Sequence, residues 1–210
     1  LRVTKWLLQQ APVQGVASQQ KTSKLTRHQV IQAMSVICVL MFAKFIYIAA
    51  ITNYFTFYLI ERFNVSIQTS QLYLFIFLGA VALGTFVGGP VGDRIGRKAV
   101  VWVSFLGVAP FALMLPYVGL TGTAILTVII GLVMSSAFSA LVVYAQEAVP
   151  GRVGMIAGLM FGLMFGIGGV GAAGLGHLAD THGIVWVYKL CSFLPLLGFM
   201  TALLPSTQQK

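Results

Sequence analysis

Six apolar runs limit what this chain can become. They span approximately residues 30–60, 71–91, 99–118, 122–146, 153–178 and 184–204. Each is long enough to cross a bilayer core, which takes about 20 residues of helix. Inside lipid no water satisfies a stray N–H or C=O, so each run must be helical. Connections of ten residues or fewer join them, short enough to make successive helices antiparallel neighbours. Turn-forming residues mark every connection: Asn64 and Ser66, Gly92 and Gly96, Pro116 and Gly119, Pro150-Gly151, and Gly183. The expected fold is an all-α membrane protein of six transmembrane helices.

Composition agrees and excludes other classes. Hydrophobic residues make up 58% of the chain and charged residues 8%, against roughly 25% charged in soluble domains. The net charge of +9 does not describe a nucleic-acid binder, because the basic residues gather at segment ends and form no stripe along one face. On one side lie Arg2, Lys5, Lys21, Lys24, Arg27, Arg94, Arg97, Lys98, Arg152 and Lys210; on the other lie Arg62 and Lys189. Basic residues mark the cytoplasmic side, so both ends of the chain are expected in the cytoplasm. Residues 1–29 read as a cytoplasmic tail or linker, 30–204 as the bundle and 205–210 as a cytoplasmic C-terminal tail. Trp6-Leu7-Leu8 beside Lys5 offers an interfacial anchor on an otherwise disordered linker. No apolar stretch with a small-residue cleavage site opens the chain, so a signal peptide is not expected. Without an initiator Met, the chain looks like half of something longer. Cys38 and Cys191 fall inside apolar runs and read as small buried hydrophobes. No catalytic, cofactor or metal motif is present, so neither enzyme chemistry nor a cofactor is expected.

Lys44 breaks the first run near its middle. At 1.5 Å per residue it lies about 20 Å from either end, too deep for easy snorkelling. Such a lysine costs roughly 3 kcal/mol to insert and should face a watery cavity or a partner. Helical steps from it reach Tyr47, Ile51, Tyr54 and Tyr58. One reading is a cavity wall for an anionic or aromatic substrate, with Lys44, Tyr47 and Tyr54 as its residues. The other is a buried lysine paired structurally with a carboxylate or with backbone carbonyls. Ser135, Ser136 and Ser139 either line that cavity or bond back to their own helix.

Gly89-Pro-Val-Gly-Asp-Arg-Ile-Gly-Arg-Lys98 holds four charges within six positions, between two uncharged runs. Glu147, at the end of the fourth run, is expected on the same surface as Arg94, Arg97 and Lys98. A carboxylate there can latch to an arginine and release when helices rock, or simply be a solvated helix end. Gly154, Gly158, Gly162 and Gly166 recur every four residues, a ridge against which another helix backbone can pack closely. His177, Asp180 and His182 at the far end admit metal binding or proton handling, or an ordinary wet loop.

The 89–98 segment resembles the signature loop of the major facilitator superfamily, Gly-x-x-x-Asp-Arg/Lys-x-Gly-Arg-Lys/Arg, through Gly89, Asp93, Arg94, Gly96, Arg97 and Lys98. Together with Lys44-Phe-Ile-Tyr47, Tyr54–Leu59, Val143–Glu147 and Pro150-Gly-Arg152, it resembles the bacterial fosmidomycin-resistance exporters, from about residue 30 to about 204. The resemblance implies a C-terminal half, helices seven to twelve, preceded by the central linker. It implies proton-driven antiport of fosmidomycin-like or other small anionic compounds across the bacterial inner membrane. Asp93, Arg94, Arg97 and Glu147 would form a cytoplasmic gate: Asp93 would stabilise the inward-closed state at a neighbouring helix N-terminus, and Arg94 or Arg97 would meet Glu147. The implied partners are the bilayer, the missing N-terminal six-helix half, a small anion and protons. An organic-anion importer of the same fold, or a self-sufficient six-helix channel or membrane enzyme, are the alternatives.

Overall fold

The computed structural model describes residues 27–149 and 151–204. The Trp6-Leu7-Leu8 anchor, the tail residues Arg2, Lys5, Lys21 and Lys24, Pro150 and Lys210 lie outside the described residues. Among the described residues, six helical spans are long and apolar enough to cross a membrane. The first is α1 (Arg27–Phe63) and the second α2 (Ile67–Ile95). The third combines α3 (Arg97–Leu106), α4 (Ala109–Met114) and a 3-10 turn over Leu115–Tyr117. Then come α5 (Leu120–Ala148), α6 (Val153–His182), and a sixth span of α7 (Ile184–Cys191) with a 3-10 segment over Leu194–Leu203.

Helix reaches further into the connections than the apolar runs suggest. Only Asn64–Ser66 separate α1 from α2. Asn64 takes a left-handed φ of 50°, which Asn tolerates. Ser66 caps α2, its hydroxyl accepting the Thr69 N–H at 3.2 Å. The charged turn contracts to one residue: Gly89–Ile95 continue α2 and α3 begins at Arg97, leaving Gly96 as the pivot. Gly96 has φ 93°, and its N–H bonds the Gly92 carbonyl at 3.1 Å. A side chain there would be strained, which is why this position takes glycine.

The third and sixth spans are composite, where the apolar runs read as uninterrupted. The third breaks at Gly107-Val108, just before Pro110; the sixth loosens at Ser192-Phe193, just before Pro195. Proline supplies no N–H and its ring crowds the carbonyl four residues back, so the helix re-forms with the proline in its first turn.

Packing pairs α1 with α6 and the sixth span, and α2 with α5, while α3 sits between α5 and the sixth span. The core gathers large side chains from α1, α3, α5 and α7, including Phe55, Phe105, Leu141 and Val187. Tyr58 stacks on Tyr188 with centroids 4.1 Å apart.

Two glycine ridges behave oppositely. Ala80, Gly84, Gly88 and Gly92 repeat every four residues on α2 and are buried. A Cβ on Gly84 would strike the Leu132 carbonyl, and one on Gly88 would lie 2.6 Å from the Ser136 Cα. This is where two helix backbones approach closely. On α6, Gly154, Gly158, Gly162 and Gly166 are exposed, with nothing within 4 Å of an added Cβ. Among the described residues, no helix packs closely along that ridge. The reason is rotational: α6 seats on α1 through the other face, with Ile156, Met160 and Leu175 buried and Gly171 so close to α1 that an added Cβ would lie 3.0 Å from the Ile46 side chain.

Candidate transport site

Lys44 is buried, at 1% exposure. Its ammonium has no hydrogen-bond acceptor among the described residues. It lies 5.5 Å from the Phe138 ring centroid and 5.9 Å from that of Phe45. The two rings meet edge-to-face at 6.0 Å, and Phe138 meets Phe161 of α6 edge-to-face at 5.6 Å. The acidic residues Glu61, Asp93, Glu147 and Asp180 all sit in the terminal turns of their helices. A structural ion pair for Lys44 is thus absent among the described residues. Among the described residues its ammonium lies against the Phe45 and Phe138 rings, whose negative quadrupole attracts a cation.

The other two residues expected beside it face elsewhere. Tyr47 turns toward Tyr58, Tyr188 and Cys191, and its hydroxyl is buried without a partner among the described residues. Tyr54 is half-buried and donates to the Ala172 carbonyl of α6 at 2.7 Å. Three residues aligned by helical spacing therefore serve three different neighbours. A helix stripe spans about 100° of arc, enough for its members to meet different neighbours. Asn53, next to Tyr54 on α1, is exposed, and its amide bonds back to the Ala49 carbonyl at 2.9 Å.

At one end of the bundle, Arg97 pairs with Glu147 of α5, joining α3 to α5. Arg97 also lies 3.6 Å from Asp93 one turn earlier, whose side chain is 72% exposed. Of the two arginines offered by the sequence, Arg97 makes the contact. Arg94 is exposed, without an ion pair among the described residues. Lys98 donates to the Leu204 carbonyl, tying α3 to the end of the sixth span. At the opposite end Arg62 donates to the Pro116 carbonyl, to the Val118 carbonyl at 3.3 Å and to the Tyr58 hydroxyl at 2.9 Å. It satisfies carbonyls left free where the third span ends.

The remaining polar residues resolve simply. Ser135 donates to the Gly131 carbonyl, Ser136 to that of Val133 at 2.7 Å and Ser139 to that of Ser136 at 3.4 Å, so all three bond back to their own helix. Cys38 and Cys191 are free thiols. His182 stacks on Trp186 at 4.7 Å, and His177, Asp180 and His182 do not close around a common metal position.

Sequence reasoning missed Phe138, Phe161, the α2 ridge and Arg62. The ridge carried a signal, its four-residue step. The aromatic neighbours of Lys44 carried none, because they come from helices distant in the chain.

Comparison with known proteins matches this geometry to a family. The sequence profile of the Major Facilitator Superfamily matches residues 33–210. The chain is 56% identical over 186 residues to the fosmidomycin resistance protein of Escherichia coli (strain K12), covering 89% of this chain and 46% of that protein. It is 45% identical over 160 residues to the uncharacterized MFS-type transporter YfnC of Bacillus subtilis (strain 168), covering 76% of this chain and 39% of that protein. The chain spans less than half the length of either relative. Six apolar spans, the Gly89–Lys98 segment around its glycine pivot and a profile match over most of the length establish that this chain belongs to the major facilitator superfamily.

Proposed function

We propose that this chain is the C-terminal half of a secondary active drug exporter of the bacterial inner membrane, moving fosmidomycin-like or other small anions by proton antiport. One observation carries the substrate class: a fully buried lysine with no carboxylate to neutralise it among the described residues. A cation left uncompensated in lipid is costly, and a substrate that supplies the negative charge recovers that cost. The 56% identity to a fosmidomycin resistance protein supports the drug class. Lys44 would meet the anion; Tyr47 and Tyr54, on the same helix, would join it by turning from the neighbours they meet here. The twofold length of the relatives and the exposed α6 ridge support a second six-helix half, docked along Gly154, Gly158, Gly162 and Gly166. Asp93, Arg94, Arg97 and Glu147 would act as the gate at the basic end, which the distribution of Lys and Arg assigns to the cytoplasm together with both chain ends. Residues 1–29 would then be the linker and 205–210 the closing tail. The chain would act as a carrier, not an enzyme.

The test is transport by the full-length protein in everted vesicles. An imposed pH gradient, acid inside, should drive fosmidomycin into the vesicle lumen, and dissipating the gradient should stop it. Movement only out of the lumen would point to an importer, and transport indifferent to the pH gradient would remove proton antiport.

A further inference from the structure

Lys44 is enclosed by aromatic rings at a defined level of the bundle. Gln32 donates to the Leu203 carbonyl at 3.3 Å, Lys98 donates to that of Leu204, and Arg97 pairs with Glu147, so these residues share one end. Lys44 is twelve residues from Gln32, an axial rise of about 18 Å. Phe138 is nine residues from Glu147 and Phe161 eight from Val153, rises of about 12–14 Å. Helical side chains lean toward their helix N-terminus, and the N-terminus of α1 is at this same end. The ammonium is thereby carried down to the level of the phenylalanines. Phe45 is nearly buried, Phe138 is partly buried and Phe161 is 45% exposed. The edge-to-face series thus runs from the enclosed ammonium outward to an open face.

We propose that Phe45, Phe138 and Phe161 form an aromatic shutter that holds the Lys44 ammonium in the empty site and must turn aside for an anion to reach it from the Arg97–Glu147 end. This rests on the reading of Lys44 as the anion site. Phe138 is the moving leaf. It lies nearest the ammonium, it links the other two rings, and it is the member between a buried and an exposed ring. Phe45 is buried, which leaves its ring no open side to turn into. In the closed arrangement the rings supply the electron density that an oxyanion would supply in the loaded one. An anion enters by exchanging one kind of counter-charge for another, so the lysine is never left bare.

Trace acetylation of the full-length protein with acetic anhydride in proteoliposomes, read by peptide mass spectrometry as Lys44 labelling relative to Lys189, tests this. The wild-type Lys44 should label slowly. Phe138→Leu keeps apolar volume but loses the ring, and should raise the rate about thirtyfold, the factor that one desolvated cation–π contact corresponds to. Phe138→Tyr keeps the ring and should label as slowly as wild type. Should neither variant insert, Phe161→Ala at the exposed end of the series should show the rise. A Phe138→Leu rate equal to wild type, or a Tyr variant as fast as the Leu variant, would overturn the shutter. Failure of the anion-site reading is separate. It would appear as unchanged fosmidomycin transport in Lys44→Met, whatever the labelling rates.

Discussion

The buried glycine ridge of α2 supports a quantitative prediction. Replacing Gly88 by alanine places a Cβ 2.6 Å from the Ser136 Cα, where relaxed carbon contacts lie at about 3.5–4.0 Å. Both atoms belong to helix backbones, so no rotamer change relieves the overlap and α2 must retreat from α5 by about 1 Å. A gap of that size forfeits up to half of each dispersion contact of about 0.15 kcal/mol, and on the order of 30 atom pairs then lose about 2 kcal/mol. Overpacked cores lose about 1–3 kcal/mol by measurement elsewhere, the same range. Alanine's better helix propensity, about 1 kcal/mol in water, offsets little here, because segments in lipid stay helical when tertiary packing is lost. The assay is an SDS titration of the full-length protein in mixed micelles, comparing Gly88→Ala with wild type. Gly89→Ala, next in sequence but with nothing within 4 Å of its added Cβ, is the control and should match wild type. Equal stability for Gly88→Ala and Gly89→Ala would refute close backbone contact between α2 and α5.

Three further predictions concern the ends of the bundle. Arg97→Gln and Glu147→Gln should each cost no more than about 1 kcal/mol of stability, because both side chains are partly exposed; a double-mutant cycle on transport rate should nevertheless show coupling, and additive effects would remove Arg97–Glu147 from the gate. With Asp93→Asn, turnover should fall more than substrate binding, an outcome that an unchanged rate contradicts. Arg62→Ala should destabilise by about 2–3 kcal/mol, since it strips a charged donor from the Pro116 and Val118 carbonyls and from Tyr58. Arg62→Lys should recover only part of this, having no planar fork to reach several acceptors; full stability in the alanine variant would show that the carbonyls find other donors.

The six spans and the family were legible because lipid permits few solutions and because the Gly89–Lys98 segment has a distinctive order of glycine and charge. The two glycine ridges show where legibility stopped. Both step by four, and only the rotation of each helix in the bundle decides that the α2 ridge is covered and the α6 ridge open. The charged segment itself looked like a loop, because its glycines, its proline and its four charges read as a break. In the structure α2 carries through Gly89–Ile95 and α3 starts at Arg97, leaving Gly96 alone between them. The choice of Arg97 over Arg94 for Glu147 follows from that pivot, which opens α3 with Arg97 facing α5. Lys44 stood out at once as an expensive residue, but its aromatic enclosure depends on side chains from α5 and α6 that no local pattern connects to it.

Lys44 remains the centre of the account, and Lys44→Met tests it most directly. The full-length variant should insert normally, relieved of roughly 3 kcal/mol of insertion cost, while fosmidomycin transport in everted vesicles falls to background. Transport at the wild-type rate, with a lysine-free site, would contradict the claim that this buried cation meets the anion.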